Sequence, residues 1–102
     1  MTYDPNDYVG QGESVILRGT VSHYDRGYIL CDFILTNKKI IKAGEDILQI
    51  MPLSQVSFIE RIDQYTIGVR GSNKNAYMGL AFSESAEKWK NTIIIEISKR
   101  IG

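Results

Sequence analysis

The chain has 102 residues, 43% of them apolar and 24% charged, with only two prolines, which indicates one ordinary globular domain and excludes a disordered or fibrous chain. Twelve Lys and Arg balance twelve Asp and Glu, so the charge excess that drives nucleic-acid or polybasic membrane binding is missing. A single cysteine excludes an intrachain disulfide, and the longest aliphatic run, Ile93 to Ile95, is far too short to span a bilayer.

Residues 1–12 are polar, with Pro5 and two glycines, and read as an irregular N-terminal arm ahead of a domain over 13–102. The opening residues lack a basic start and an apolar stretch, which predicts no secretory leader and a cytoplasmic location, with attachment to a membrane through a partner as the alternative. Glu13 to His23 is rich in β-branched residues and reads as a first strand. Tyr24 to Gly27 is turn chemistry. Tyr28 to Thr36 is the clearest strand, with Ile29, Cys31, Phe33 and Leu35 alternating onto one face. Asn37 turns into a third strand, Lys38 to Ala43, and Gly44 to Asp46 turn into a fourth, Ile47 to Met51. Pro52 is expected to break that run, because it cannot donate to a ladder. Val56 to Arg61, Tyr65 to Arg70 and Ala76 to Phe82 are strands five to seven, the sixth with Tyr65, Ile67 and Val69 on one face. Gly71 to Asn75 is a loop.

The apolar period then changes from two to about 3.6. Ala86, Trp89, Ile93 and Ile97 fall on one helical stripe. Ser83 is the expected N-cap, and Glu84–Lys88 and Glu96–Arg100 are the expected i,i+4 pairs. The reading is a mainly β fold with one α: seven antiparallel strands in a partly open barrel or sandwich, capped by a C-terminal helix. Phe33, Leu35, Trp89, Ile93 and Ile97 form the expected core.

This order resembles the pleckstrin-homology (PH) superfold. The stretch Phe33-Ile34-Leu35-Thr36-Asn37-Lys38-Lys39-Ile40-Ile41 is similar to a turn of GRAM-like and bacterial PH-like domains. Pro52-Leu53-Ser54-Gln55-Val56-Ser57-Phe58-Ile59-Glu60 resembles another of their segments. Trp89 sits where PH domains carry a tryptophan in the closing helix. GLUE domains, PH-like modules of endosomal sorting machinery, share the Leu35-Thr36-Asn37 type of turn. The resemblance covers Glu13 to Ile101. It implies a binding module and not an enzyme, with phosphoinositides, peptides, small GTPases or ubiquitin as the ligands of different members.

Three loops would form the mouth of such a fold, and His23, Arg26, Lys42 and Lys74 are its candidate ligand-binding residues. Acidic Asp25, Glu45 and Asp46 balance the bases, and His23 and Tyr28 stand where the family places cations, which disfavours tight phosphoinositide binding. Lys38, Lys39 and Lys42 read as an exposed lysine-bearing strand face, and nucleic acid is not an expected partner. Cys31 lies between Ile29 and Phe33 on the inward face and reads as a small hydrophobe. With one His and one Cys, neither nucleophilic catalysis nor a metal site is expected, and no cofactor is. Gly10-Gln11-Gly12 precedes a strand and is no dinucleotide loop. Ile95 points nearly opposite to Ile93 and Ile97 and is the candidate interaction surface. The expected function is a non-catalytic adaptor that binds a protein, including a ubiquitin-like one, with strand addition at a sheet edge as the natural mode. Two alternatives stand beside it: a weak peripheral module for anionic lipid, and a self-assembling domain forming a homo-oligomer.

Overall fold

The computed structural model describes residues 8–24, 28–44, 47–73 and 76–101. Seven strands are present: β1 (Val15–Tyr24), β2 (Tyr28–Thr36), β3 (Lys39–Ala43), β4 (Leu48–Pro52), β5 (Val56–Arg61), β6 (Thr66–Gly71) and β7 (Tyr77–Phe82). Among the described residues one α-helix, α1 (Glu87–Ile101), follows, and a short 3-10 turn at Leu53–Gln55 links β4 to β5. All pairings are antiparallel, in the order β4-β3-β2-β1-β7-β6-β5, so the sheet is open with β4 and β5 at its edges. The seven strands and the closing helix therefore stand as the alternation and the helical stripe predict.

The sheet folds over on itself at β1. This strand pairs with β2 along almost its whole length, but with β7 only through Val21↔Phe82 and Ser22↔Ala81. Beyond those two rungs β1 and β7 part. The inward faces of β2 and β3 on one side, and of β6 and β7 on the other, then share one core with the helix. Phe33, Leu35, Ile40, Ile67, Val69 and Leu80 are all fully buried in it.

The helix is seated by its indole. Trp89 stacks on Phe82 at 4.7 Å between centroids and meets Phe33 edge-on at 5.5 Å, while Phe33 and Phe82 form a further edge contact at 5.4 Å. Such ring pairs contribute about 0.5–1.5 kcal/mol each beyond area burial. The indole fits because β1 carries Gly19 beneath it: a Cβ there would lie 2.6 Å from Trp89 Cη2. Ala86 and Ile93 are fully buried on the same stripe, and Ile97 packs at its margin.

The second face of β2 is covered as well. Ile34, Ile41 and Ala43 are buried there, and Tyr8 and Val9 of the N-terminal segment pack on them. Glu13 anchors that segment. Its carboxylate, whose side chain is 6% exposed, accepts from Gly10 N–H (2.9 Å) and Thr36 Oγ1 (2.7 Å) and pairs with Lys39 Nζ (3.0 Å). Thr36 Oγ1 in turn accepts from the N–H groups of Lys38 and Lys39, and Asn37 Oδ1 accepts from Ser14 N–H. The Thr36-Asn37 pair thus holds the β2–β3 turn against the start of β1. Burial pushes the Glu13 carboxyl up, but these hydrogen bonds and the Lys39 charge outweigh it and hold its pKa below the ordinary value.

Several expectations are corrected. The fourth strand runs over Leu48–Pro52, not Ile47 to Met51: the run stops at Pro52 as expected, but Pro52 is itself its last residue, opposite Lys39, which an edge strand allows because no neighbour needs its missing N–H. The first strand starts at Val15, since Glu13 and Ser14 are committed to the turn clamp. Tyr65 precedes β6 and is exposed, and Ile29 is also exposed, near the end of the hairpin where little covers it. The hydroxyl at the helix start is Ser85, accepting from Glu87 N–H at 3.4 Å, not Ser83. Glu84 lies outside the helix, Glu87 pairs across to Arg61, and Glu96 pairs with Lys99. The Arg100 side chain lies outside the described residues.

Trp89→Ala should lower stability by about 3–5 kcal/mol, and Gly19→Val should destabilise as well by displacing the indole; chemical denaturation measures both. Glu13 contributes stability that is complete above its unfolded pKa, near 4.5, and is lost as pH falls through its depressed folded value. Glu13→Gln should flatten that acid limb, and an unchanged limb would show that the clamp is not formed.

Candidate functional site

The strand alternation brings one basic side chain into the interior. In β3, Ile40 and Lys42 point inward and Ile41 and Ala43 outward. Lys42 stands between Phe33 on β2 and Gln49 on β4 and is only 2% exposed. The expected lysine-bearing exposed face is therefore corrected for Lys42, because it is in phase with Ile40. Lys38 is exposed and Lys39 serves the Glu13 clamp.

The Lys42 amine reaches the place where β7 leaves β1. Nζ donates to Gly79 O at 2.8 Å, a carbonyl beyond the two β1–β7 rungs, and lies 2.9 Å from His23 Nδ1. Of the mouth residues chosen from sequence, the structure thus joins His23 and Lys42. Arg26 and Lys74 lie outside the described residues. Among the described residues no carboxylate forms an ion pair with Lys42. Burial pushes its pKa down from the ordinary 10.5, opposed by the neighbouring Cys31. Burial likewise pushes the Cys31 thiol up, and Lys42 draws it part of the way back. A buried thiol with a raised pKa is a packing group, not a nucleophile.

A cleft of about 280 Å³ has Lys42 in its lining. Its walls include His23, Gln49, Thr66, Tyr77 and Gly79. Gln49 Oε1 is buried there with no hydrogen-bond partner. Gly68 leaves room for the Tyr77 ring on the β6–β7 face: a Cβ on it would lie 2.7 Å from the phenol oxygen. Arg70 lies over the same ring at 5.1 Å.

A second feature lies at the far edge of the sheet. Phe58 on β5 and Ile94 on α1 are both exposed, and with Val56, Ile59 and Ile97 they line an apolar groove of about 170 Å³. Ile95, singled out from sequence, is 54% exposed but is not among the groove residues; Ile94 is its neighbour that borders the groove. The groove was not visible from sequence, since it needs β5 and α1 side by side. Gln49 and Tyr77 were also missed, although the in-phase spacing of Gln49 and Met51 marks an inward polar position.

Among the described residues no cluster of His, Cys, Asp and Glu could hold a metal ion, and no helix is long and apolar enough to cross a membrane. No protein-family model and no curated protein matches this chain.

The Lys42 burial has a measurable sign. Its folded pKa lies below its unfolded value of about 10.5, so the unfolded chain binds more protons in between. Stability therefore rises with pH across that window. Because other groups also ionise at alkaline pH, the quantity to measure is the difference between wild type and Lys42→Met. That difference should climb toward alkaline pH, and a flat difference would show the amine to be hydrated.

Proposed function

We propose that this chain is a non-catalytic binding module of the PH-like kind, an adaptor that grips an extended segment of a protein partner by strand addition at β5. The observation that carries this reading is the groove between β5 and α1. β5 is the last strand of the sheet order, so its outer edge offers backbone donors and acceptors, and apolar side chains line the floor beside it. Main-chain pairing with alternate side chains seated in a pocket is the chemistry of β-augmentation.

The two edges differ in a way that favours β5. β4 is five residues long and ends on Pro52, which cannot donate and blunts that edge. β5 has no proline. Its register shift lies between Val56 and Phe58, leaving Phe58 to Arg61 paired residue by residue with Arg70 to Ile67. Its charged side chains are already engaged, Glu60 with Arg70 and Arg61 with Glu87. An incoming segment with apolar residues at alternate positions meets apolar surface there and not unpaired charge. Anionic lipid draws no comparable support: Lys42 is the one mouth lysine among the described residues, and clustered phosphate charges need several convergent cations.

The test is a peptide-display selection on the whole chain, followed by titration of the enriched peptides. Enriched peptides should carry alternating apolar residues and bind with micromolar affinity, and Phe58→Asp should weaken them about tenfold or more without lowering the melting temperature. Binding that ignores Phe58→Asp, or that survives N-methylation of the peptide backbone, would overturn strand addition at β5. Concentration-dependent light scattering identifies a second copy of the chain as the occupant instead.

A further inference from the structure

The Lys42 cleft shares no residue with the β5–α1 groove, and its polar groups are incompletely matched from within. As an ammonium, Nζ has three N–H donors. Two acceptors are in place, Gly79 O and His23 Nδ1, and neither brings a formal negative charge. Burying such a cation without an opposite charge is costly. On the same wall, the buried Gln49 Oε1 lacks a donor. A donor with one N–H left over and no counter-charge, and an acceptor without a donor, thus belong to residues that line one small space.

We propose that this cleft is a binding site for a single carboxylate that carries an N–H or O–H donor on the adjoining atoms. The carboxylate pairs with Lys42 Nζ and the neighbouring donor satisfies Gln49 Oε1. With the Lys42 ammonium donating to Nδ1, the His23 ring is held beside the same amine. A phosphate fits less well: it needs several convergent cations or an arginine fork, and the described cleft supplies one lysine. The volume of about 280 Å³ lies at the small end for ligand pockets, which limits the occupant to a few heavy atoms. Two sources share this chemistry, a small hydroxy or acylamino acid and the C-terminal residue of a peptide.

The experiment is amide-shift titration of the whole chain with N-acetylglycine, N-acetylglycinamide, acetate, and one tetrapeptide with a free or amidated C-terminus. N-acetylglycine should shift the amides of Lys42, Gln49 and Gly79 saturably, and its amide and acetate should each bind about tenfold or more weakly. A free-terminus tetrapeptide binding well above N-acetylglycine assigns the site to protein C-termini, and equal binding assigns it to small acids. Lys42→Met should abolish acid binding. Gln49→Leu should keep acetate binding while losing the preference for N-acetylglycine, a change that loss of fold would not produce. Equal titration by the acid and its amide, or no saturable shift with wild type up to about 10 mM, would overturn the proposal whether or not the variants fold.

Discussion

The contact between Trp89 and the bare backbone of Gly19 is the constraint on which the rest of the fold depends. An open seven-stranded sheet has an apolar inner face on each half and nothing to close the space between them. Stacked on Phe82 of one half and edge-on to Phe33 of the other, the indole ties both halves to the helix. It reaches both only because β1, the strand at the fold line, has no side chain at position 19. A larger residue there would lift the helix and open the core to water.

The same fold line creates the polar cleft. Where β1 and β7 stay paired, backbone groups satisfy one another. Where they part after Val21 and Ser22, carbonyls such as that of Gly79 need another donor. Lys42 supplies it from across the interior, at the cost of burying an amine. A hydrophobic residue of similar volume would remove that cost but leave the carbonyl unpaired, so the lysine and the splayed strands are linked. The groove at β5 has a different origin: it is the edge that closure of the sandwich left open.

The turn between β2 and β3 has a local structural role. Thr36 and Asn37 bind the backbone of their own turn and of Ser14, and Glu13 and Lys39 close the arrangement. These residues stabilise a strand junction and lie away from both candidate sites. That turn therefore bears on architecture more than on ligand, and the functional reading rests on the edge groove.

Much of the architecture was written in the order of residues. Period-two alternation marks β2, β6 and β7, and the change to a 3.6 period marks the helix and picks Trp89 and Ile93 as its inward residues, because side-chain direction within one element is set by local backbone geometry. Even the inward phase of Lys42 could have been read from Ile40 beside it. The ends of elements were less legible: Pro52 is tolerated and Ser83 passed over because neighbours, not local preference, decide there. What only the tertiary structure decided are the relations between distant residues. The meeting of His23, Lys42 and Gly79, the orphaned Gln49 oxygen, and the alignment of Phe58 with Ile94 all depend on where strands separate and where a helix lies. Such distances are set by the packing of the whole chain, and no window of sequence contains them.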